Sequence, residues 1–352
     1  MARLPRKPTK RMLVRGVAIG GGAPVTVQAM TKTDTRDIDA TVRQVLALAK
    51  QGAAIVRLAV PDAEAAQALA AIRQKVDVPL VADIHFDPEL ALASLNAGVD
   101  KLRINPGNLG GRENLSLVAR EAQARGVPLR VGINAGSLER DILERYGAPT
   151  AEAISESALR NVRLLQDLGF DDIVISAKSS DVATCVDAYR LISSKCDFPL
   201  HVGITETGPG TRGIIKSAAG IGALLLEGIG DTIRVSLTAP PEEEVIVGRL
   251  LLMSLGLERG LDIISCPTCG RVRGRLMETA ERVAQELEGT GRPLKVAVMG
   301  CEVNGPGEAR EADLGLALTR GGAVLFSRGK VVRTGALDEV LQDLIERAGK
   351  GR

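Results

Sequence analysis

Short apolar runs alternate with amphipathic runs at nearly even spacing, and this alternation constrains the fold more than any other feature of the chain. Eight apolar runs predict strands, at residues 25–30, 54–60, 79–86, 100–106, 128–134, 172–178, 199–205 and 232–238. Several stretches between them begin after an Asp, Ser or Thr cap and end at Gly, as helices do. Eight consecutive β/α units predict an α/β fold, a TIM (β/α)8 barrel.

An open, doubly wound sheet is the main alternative to the barrel. That fold usually carries a GxGxxG turn after its first strand, and no such turn follows the early strands of this sequence. The barrel is therefore favoured. The segment MLVRGVAIGGG, which precedes the first strand, predicts a hairpin that closes the bottom of the barrel.

The pattern changes after Gly260. A turn with two cysteines is followed by the helical stretch RLMETAERVAQELEG, the strand LKVAVMG, several short strands and the final helix LDEVLQDLIERA. This mixture predicts a small α+β domain. We expect residues 1–260 to form the barrel and residues 261–352 to form the second domain.

The composition of the chain excludes several classes of function. Aromatic residues make up 2% of the sequence and the formal net charge is +2, which disfavours a nucleic-acid-binding surface. The apolar runs are far shorter than the ~20 residues of a membrane helix, and the basic N-terminus is not followed by the apolar segment of a signal peptide. Five cysteines, of which three look like metal ligands, suit a reducing compartment. We expect a cytoplasmic protein.

Three cysteines form the most specific chemical motif. Cys266 and Cys269 lie on a CPTCG turn, and Cys301 follows on a distant Gly/Pro-rich loop. A structural zinc site usually has four Cys or His ligands, and both histidines of the chain lie far upstream. A fourth ligand must then be an oxygen, for which Glu308 is the natural candidate, or an outside molecule. An iron–sulfur cluster with one distinct iron fits this set, although spacing alone leaves zinc open.

Five cations lie on the apolar strands of the predicted barrel, and they are Arg57, Arg103, Arg130, Lys178 and Arg234. Cations buried in this way are costly unless they meet anions. Two candidate acids, Asp83 and Glu206, leave several of them unpaired. Because a guanidinium can donate two parallel hydrogen bonds to a phosphate, we expect an anionic ligand, a diphosphate, at the carboxyl ends of the strands.

Other polar residues at the same strand ends are candidates to orient a small molecule, and they are Asp83, His85, Asn105, Asn134, Thr205 and Ser236. For any one of them a loop or cap role is as plausible as a functional one, and their shared position is the stronger argument. Glu206 is the best candidate acid, since a carboxylate among cations can exchange a proton with a leaving oxygen. We expect His201, early in its strand, to be a core histidine.

With these motifs assembled, the chain resembles the bacterial 4-hydroxy-3-methylbut-2-en-1-yl diphosphate synthases of isoprenoid biosynthesis, in their compact two-domain form. The resemblance is carried by MTKTDTRD (30–37), RINPGN (103–108), GINAGSLE (132–139), ISAKSSD (175–181), HVGITETG (201–208), SCPTCGR (265–271) and GCEVNGPGE (300–308). These motifs span nearly the whole chain, and the last two are highly specific in combination.

The resemblance implies a specific reaction and site. The substrate is 2-C-methyl-D-erythritol 2,4-cyclodiphosphate, which the barrel residues above bind and which is opened reductively. The resemblance also implies a [4Fe-4S] cluster held by Cys266, Cys269, Cys301 and Glu308, with Glu308 displaced by a substrate oxygen and Glu206 acting as an acid. It further implies a homodimer. Since no dinucleotide motif is present, we expect reduced flavodoxin or ferredoxin as the electron donor.

Two other functions remain open from the residues. One is a non-redox TIM-barrel transferase that acts on a phosphorylated ligand and carries a structural zinc knuckle. The other is a metal-stapled binding or scaffold module without chemistry. A fourth thiol or histidine beside Cys301 would favour either one, and the sequence has none there.

Overall fold

A computed structural model describes residues 5–288, 291–301 and 312–349 of the chain. The chain divides into two compact units, the first ending at Leu255 and the second beginning at Gly256. Within the described residues, no helix has both the length and the apolar character needed to cross a membrane.

The first unit is built around an eight-stranded parallel sheet with the strand order β8-β7-β6-β5-β4-β3-β10-β9. Its strands are β3 (Thr26–Met30), β4 (Ile55–Ala59), β5 (Leu80–Asp83), β6 (Lys101–Ile104), β7 (Leu129–Asn134), β8 (Ile173–Lys178), β9 (His201–Val202) and β10 (Thr232–Ile233). A parallel bridge between Ile175 and Leu200 joins the two ends of this order. The sheet therefore curls into a nearly closed ring, and the predicted TIM barrel is confirmed.

Strands β9 and β10 are shorter than the sequence predicts, with two paired residues each. Arg234 N–H, directly after β10, still donates to the Val202 carbonyl of β9 at 3.0 Å, and backbone groups further along bond to loops. Thr205 N–H donates to the Ser179 carbonyl at 3.2 Å, and Thr238 N–H donates to the Gly208 carbonyl at 3.2 Å. An apolar run therefore predicted the position of each strand but not where its pairing stops.

Helices connect the strands of the barrel. They are α1 (Ile38–Lys50), α2 (Ala63–Lys75), α3 (Pro88–Asn96), α4 (Arg112–Ala124), α5 (Arg140–Tyr146), α6 (Ala151–Gln166), α7 (Val182–Lys195), α8 (Gly210–Leu226) and α9 (Pro241–Ser254). Short 3-10 turns follow β6 (Pro106–Asn108) and β7 (Ala135–Ser137). The side chains of Asp37, Asp62 and Asp181 accept backbone N–H groups at helix starts, which confirms the predicted caps.

The strand register determines which residues face the barrel interior. Inward side chains of a TIM barrel stack in layers of four, each from alternate strands. From the bottom upward the layers are Ile55, Lys101, Val174 and Thr232; Gln28, Val81, Arg130 and His201; Arg57, Arg103, Ser176 and Arg234; Met30, Asp83, Gly132 and Gly203; and Ala59, Asn105, Lys178 and Ser236. Charged side chains are thus concentrated in the upper layers, at the carboxyl ends of the strands.

A hairpin covers the opposite end of the barrel. It consists of β1 (Met12–Val14) and β2 (Val17–Ile19), which pair antiparallel. Three of its side chains pack in one buried cluster with Ile55, Val81 and Val174 from the two lowest layers. The predicted hairpin at the bottom of the barrel is therefore confirmed.

Within the described residues, the second unit is a five-stranded mixed sheet in the order β11-β12-β13-β14-β15, accompanied by two helices. Its elements are β11 (Asp262–Ser265), α10 (Leu276–Glu288), β12 (Lys295–Met299), β13 (Leu314–Thr319), β14 (Gly322–Ser327), β15 (Lys330–Gly335) and α11 (Leu337–Gly349). Leucines and valines of both helices pack with the sheet in one core cluster. This arrangement is the α+β architecture predicted from the sequence.

Candidate active site and thiol pocket

The five strand cations, which we call the cation cluster, come together inside the upper barrel. They are Arg57, Arg103, Arg130, Lys178 and Arg234, each from a different strand or from the residue that follows it. Arg57 and Arg103 lie in one layer with Arg234 by register. Four of the five are buried, and the side chain of Arg234 is 15% exposed. The structure therefore brings the predicted cations to one place.

Asp83 is the central anion on one side of the cluster. One of its oxygens lies 3.3 Å from Arg103 Nη1, and the other lies 3.9 Å from Arg57 Nε and 3.4 Å from His85 Nε2. Burial alone would raise the pKa of this carboxyl. The nearby arginines and the His85 hydrogen bond outweigh burial and hold the pKa of Asp83 well below its usual range. Asp83 therefore stays ionised and fixes these three side chains.

Two further contacts orient the guanidinium groups around Asp83. Arg57 directs Nη2 at the sulfur of Met30, 2.7 Å away. Arg103 donates from Nη2 to the Gly132 carbonyl at 3.2 Å, and its Nη1 lies 2.9 Å from the ring nitrogens of His85. Each arginine is therefore held at two points, which favours a single orientation.

Glu244, in the first turn of α9, is the anion on the other side of the cluster. Its carboxylate lies 3.4 Å from Arg234 Nη2 and 3.2 Å from Lys32 Nζ, and its residue is 2% exposed. The sequence analysis named neither Glu244 nor Lys32 as a site residue. The run PPEEE reads as an ordinary acidic helix start, and only the third glutamate of the run is buried.

Several donors of the cluster are buried without a protein partner. Arg130 Nε and Nη1 and Arg234 Nε have no hydrogen-bond partner among the residues that the structure describes, and neither does the Asn105 side-chain oxygen. A buried donor without an acceptor costs roughly 1–3 kcal/mol. An anion with several oxygens would accept hydrogen bonds from the orphaned Arg130 and Arg234 nitrogens, whereas the Asn105 oxygen needs a donor such as a hydroxyl group.

The pKa values of the cations reflect the same shortage of anions. Burial lowers the pKa of Arg130 well below its usual value, and Arg57 and Arg103 lower it further. Burial likewise lowers the pKa of Lys178 well below its usual value, with Arg234 and Arg130 adding to the effect. An anionic ligand would oppose both effects and favour the charged forms of these groups.

Two glycines make space for the cations, and the sequence analysis did not single them out. A Cβ on Gly132 would overlap the guanidinium of Arg103, and a Cβ on Gly203 would overlap the Arg234 carbonyl and lie 3.1 Å from Lys178 Nζ. The two glycines lie in the same layer. The repeated letters VGI in strands β7 and β9 are the signal that could have revealed them.

The remaining predicted barrel residues lie around the rim. Asn105 is buried directly after β6, Asn134 ends β7, and Thr205 and Ser236 are half-buried beyond β9 and β10. His85 is exposed beside Asp83. These positions form one end of the barrel, as predicted, and their individual roles stay predictions.

Glu206 is exposed in the loop after β9 and has a φ of +53°. A positive φ is uncommon for a residue other than glycine, and such strained residues cluster at functional sites. Within the described chain, none of the ion pairs of the cation cluster involves Glu206. Its carboxylate is therefore accessible to a ligand at the rim.

The second unit contains the thiol pocket, a cavity of about 140 Å³ that Cys266, Cys269 and Cys301 line together with Arg271 and Met299. Cys269 is exposed, whereas Cys301 is buried. Gly300 N–H donates a hydrogen bond to Cys266 Sγ at 3.2 Å. Cys266 lies just after β11 and Cys301 shortly after β12, and these parallel strands are neighbours, which brings the distant motifs together.

The described donors fit an iron–sulfur cluster. Three cysteine thiols on one cavity supply the ligand type that such clusters use, and an N–H group directed at a cysteine sulfur is one of the interactions that tune their potential. The predicted fourth ligand, Glu308, lies outside the described residues. Among those residues, no three His, Cys, Asp or Glu side chains are grouped closely enough to hold a single metal ion.

Comparison with known families assigns both units to the same family. The model of the GcpE TIM-barrel domain matches residues 9–249, and that of the GcpE protein C-terminal domain matches residues 262–350. The chain belongs to the GcpE family. The family resemblance inferred from the motifs is confirmed.

Two curated relatives of this GcpE chain are named 4-hydroxy-3-methylbut-2-en-1-yl diphosphate synthase (flavodoxin). The protein from Thermodesulfovibrio yellowstonii is 52% identical over 348 residues, which cover 99% of this chain and 100% of the relative. The protein from Nitratidesulfovibrio vulgaris is 54% identical over 332 residues, which cover 94% and 86% of the two chains. The similarity therefore extends over both units.

Among solved structures, a dihydropteroate synthase from Xanthomonas albilineans is similar to this GcpE chain with a TM-score of 0.49 and 14% identity, over 70% of this chain and 97% of that one. A likeness this distant says nothing about the substrate.

Proposed function

We propose that this protein catalyses the reductive ring opening and dehydroxylation of 2-C-methyl-D-erythritol 2,4-cyclodiphosphate to 4-hydroxy-3-methylbut-2-en-1-yl diphosphate. It is then an oxidoreductase of isoprenoid biosynthesis. One observation of the structure carries the substrate class. The five cations of the cluster meet two carboxylates, Asp83 and Glu244, and several buried donors are left for a diphosphate.

The reaction balances with two electrons, two protons and the loss of one water molecule. A carbon–oxygen bond to phosphate breaks, which opens the ring, and a hydroxyl group leaves as water. The two electrons form the carbon–carbon double bond of the product in place of the two carbon–oxygen bonds that break. Amino-acid side chains alone do not supply electrons for such a step, so a redox cofactor is required.

The barrel residues bind and orient the diphosphate in this proposal. By register, Arg57, Arg103 and Arg234 lie in one layer of the barrel, with Arg130 in the layer below them and Lys178 above. Because Asp83 and Glu244 already hold three of these side chains, little side-chain entropy is lost when the diphosphate binds. His85, Asn105, Asn134, Thr205 and Ser236 would contact the rest of the substrate.

The cofactor in this proposal is a [4Fe-4S] cluster held by Cys266, Cys269, Cys301 and Glu308. When bound, it supplies single electrons and one iron that is open to a substrate oxygen. Cys266 accepts the N–H of Gly300, which fixes the direction of that thiolate. Glu308 would yield its place to the substrate, because a carboxylate leaves iron more readily than a thiolate does.

Glu206 would hold the proton that the departing hydroxyl group takes up. Its position supports this role, since it is exposed on a strained loop beside the rim and is free of the cluster's ion pairs. A carboxyl group that acts as an acid must reach the leaving oxygen within a hydrogen bond or through one water molecule.

The partners follow from the same proposal. The names of both relatives include flavodoxin, which supports reduced flavodoxin as the electron donor, with ferredoxin as the alternative. We further propose a homodimer and a cytoplasmic location, where thiols stay reduced.

The first test is to purify the protein without oxygen, record its visible spectrum and quantify its iron, sulfide and zinc. We expect a brown protein whose absorption bleaches on reduction, with about four irons per chain. It should convert the cyclodiphosphate when reduced flavodoxin is supplied. A colourless protein with one tightly held zinc and no turnover would overturn the proposal and favour a non-redox transferase.

A further inference from the structure

We propose that Glu244 is a positioning residue for the substrate diphosphate, which acts through the guanidinium of Arg234. This inference rests on the proposed function, in which Arg234 binds phosphate. Glu244 itself lies outside the set of residues expected to touch the substrate.

The burial of Glu244 shows that its charge is committed to the protein. The residue is 2% exposed, and an ionised carboxylate at such a site needs partners. It has three, namely Arg234 Nη2 at 3.4 Å, Lys32 Nζ at 3.2 Å and the Leu237 N–H at 3.0 Å. Its neighbours in the same helical turn, Glu242 and Glu243, are half-buried and exposed, respectively.

Because of the shape of the arginine side chain, the ion pair with Glu244 also orients the guanidinium of Arg234. A guanidinium is planar and rigid, so an ion pair at Nη2 restricts the directions in which the other nitrogens of Arg234 can donate. Arg234 Nε is buried without a partner among the described residues. Burial lowers the pKa of Arg234 to about 10, and Glu244 acts against this shift. The carboxylate therefore favours the charged form of Arg234 and restricts the direction of its free donor.

Glu244 also fixes the loop that follows β10. Its oxygen accepts the Leu237 N–H, and Lys32, which it holds, donates to the Leu237 carbonyl at 3.1 Å and to the Ala239 carbonyl. Ser236, a predicted substrate contact, immediately precedes Leu237. A single carboxylate thus joins the end of β3, the end of β10 and the start of α9.

Asp83 and Glu244 then divide the cation cluster between them. Asp83 pairs with Arg57 and Arg103, and Glu244 pairs with Arg234. Within the described residues, no ion pair links Arg130 or Lys178 to either carboxylate. Glu244 therefore performs for the β10 side of the site the task that Asp83 performs for the β4–β6 side.

The test compares Glu244→Gln with the control Glu243→Gln in the cluster-loaded enzyme. The control makes the same chemical change one residue away, on the exposed face of the same helical turn. We expect Glu244→Gln to raise the KM for the cyclodiphosphate about tenfold, as the loss of one oriented charge-assisted contact would. We expect kcat to change less than about twofold and the control to match wild type.

A double-mutant cycle separates positioning from a merely structural role. If Glu244 acts through Arg234, then Glu244→Gln has less than about a twofold further effect on KM in an Arg234→Ala background. Full additivity of the two effects would overturn the proposal. Glu244→Asp keeps the charge but shortens the side chain by one methylene, so it should raise KM less than Glu244→Gln does. Its KM can be measured if the glutamine variant folds poorly.

Binding of inorganic pyrophosphate, measured by calorimetry, keeps this proposal separate from the proposed function. Glu244→Gln should weaken pyrophosphate binding by a similar factor without any redox chemistry. Wild-type protein that binds pyrophosphate but fails to convert the cyclodiphosphate would refute the proposed function alone. Equal pyrophosphate affinity in wild type and Glu244→Gln would refute the role of Glu244 alone.

Discussion

The cation cluster and the thiol pocket are held together by different kinds of contact. The cluster is assembled from side chains of five strands, and two buried carboxylates fix its geometry before any ligand arrives. The thiol pocket is assembled from two short segments, and Cys269 at its edge is exposed. The barrel site is thus held by ion pairs between side chains, whereas the thiol site is held by the backbone pairing of β11 with β12 and the hydrogen bond from Gly300 to Cys266.

This difference predicts how each site responds to mutation. Removing one of the pocket thiols should cause loss of the bound cofactor and of the chemistry that depends on it, because few other groups hold the cofactor. Removing one cation should leave a folded site with weaker affinity, because its neighbours remain in place.

The largest effect is expected from Cys301→Ser. We expect loss of iron and sulfide and a drop in turnover beyond the ~10–100-fold cost typical of residues that only support a metal ligand. The measurement is iron content and activity of anaerobically purified protein, with Cys196→Ser, a half-buried cysteine of the barrel unit, as the control. Iron content equal to wild type would remove Cys301 from the site and break the comparison.

Arg130→Met tests the cation cluster with the volume of the side chain largely kept. Charged hydrogen bonds contribute about 1.5–3 kcal/mol each, so we expect KM for the cyclodiphosphate to rise roughly 10–100-fold while iron content stays at the wild-type level. The control is Arg163→Ala on the exposed face of α6. Unchanged substrate affinity would exclude Arg130 from the phosphate site.

Gly132→Ala tests whether the geometry of the cluster matters apart from its charge. The added methyl would overlap the guanidinium of Arg103, so we expect a KM increase of about fivefold from a displaced but intact arginine. The matched control is Gly136→Ala in the following turn, where an added Cβ meets no atom within 4 Å. If both variants behave like wild type, the cluster tolerates displacement and is less rigid than we infer.

The smallest effect is expected in the pH dependence of stability. His201 is fully buried, its Nδ1 lies 2.6 Å from Thr232 Oγ1, and burial lowers its pKa well below the usual value. Because the unfolded chain takes up a proton near pH 6.5 that the folded barrel does not, the free energy of unfolding should fall as the pH drops below about 6.5.

Thermal unfolding between pH 7 and pH 5 measures this effect. In His201→Asn the fall should be smaller than in wild type by about 1 kcal/mol. Gly136→Ala, which leaves both histidines in place and adds a Cβ that meets no atom within 4 Å, serves as the control and should keep the wild-type slope. An unchanged slope in His201→Asn would show that this part of the barrel interior admits solvent.

Some site residues could be read from the sequence because the signal is local. The spacing of Cys266 and Cys269 and the Gly/Pro run after Cys301 single out the three cysteines of the thiol pocket without knowledge of the fold. The strand cations could also be found, because a charge inside an apolar run is conspicuous. Glu244 could not, since it occupies an ordinary helix start and only its contacts with Lys32 and Arg234 distinguish it from Glu243.

The assignment of anions to cations depended on the closed barrel. The sequence analysis placed Glu206 beside the cations as a pairing acid, whereas the structure gives the Arg234 ion pair to Glu244. Both acids follow barrel strands, so spacing does not separate them. The curvature of the sheet decides which one turns inward.

By itself the sequence determined the order of strands and helices, the barrel class, the α+β second domain and the three cysteines that line the thiol pocket. Periodicity, caps and short spacings are properties of neighbouring residues, and they persist whatever the rest of the chain does. Only the tertiary structure decided which donors are left without partners and which glycines make room for them. Those properties depend on distances across the barrel, which are set when eight strands close into one ring.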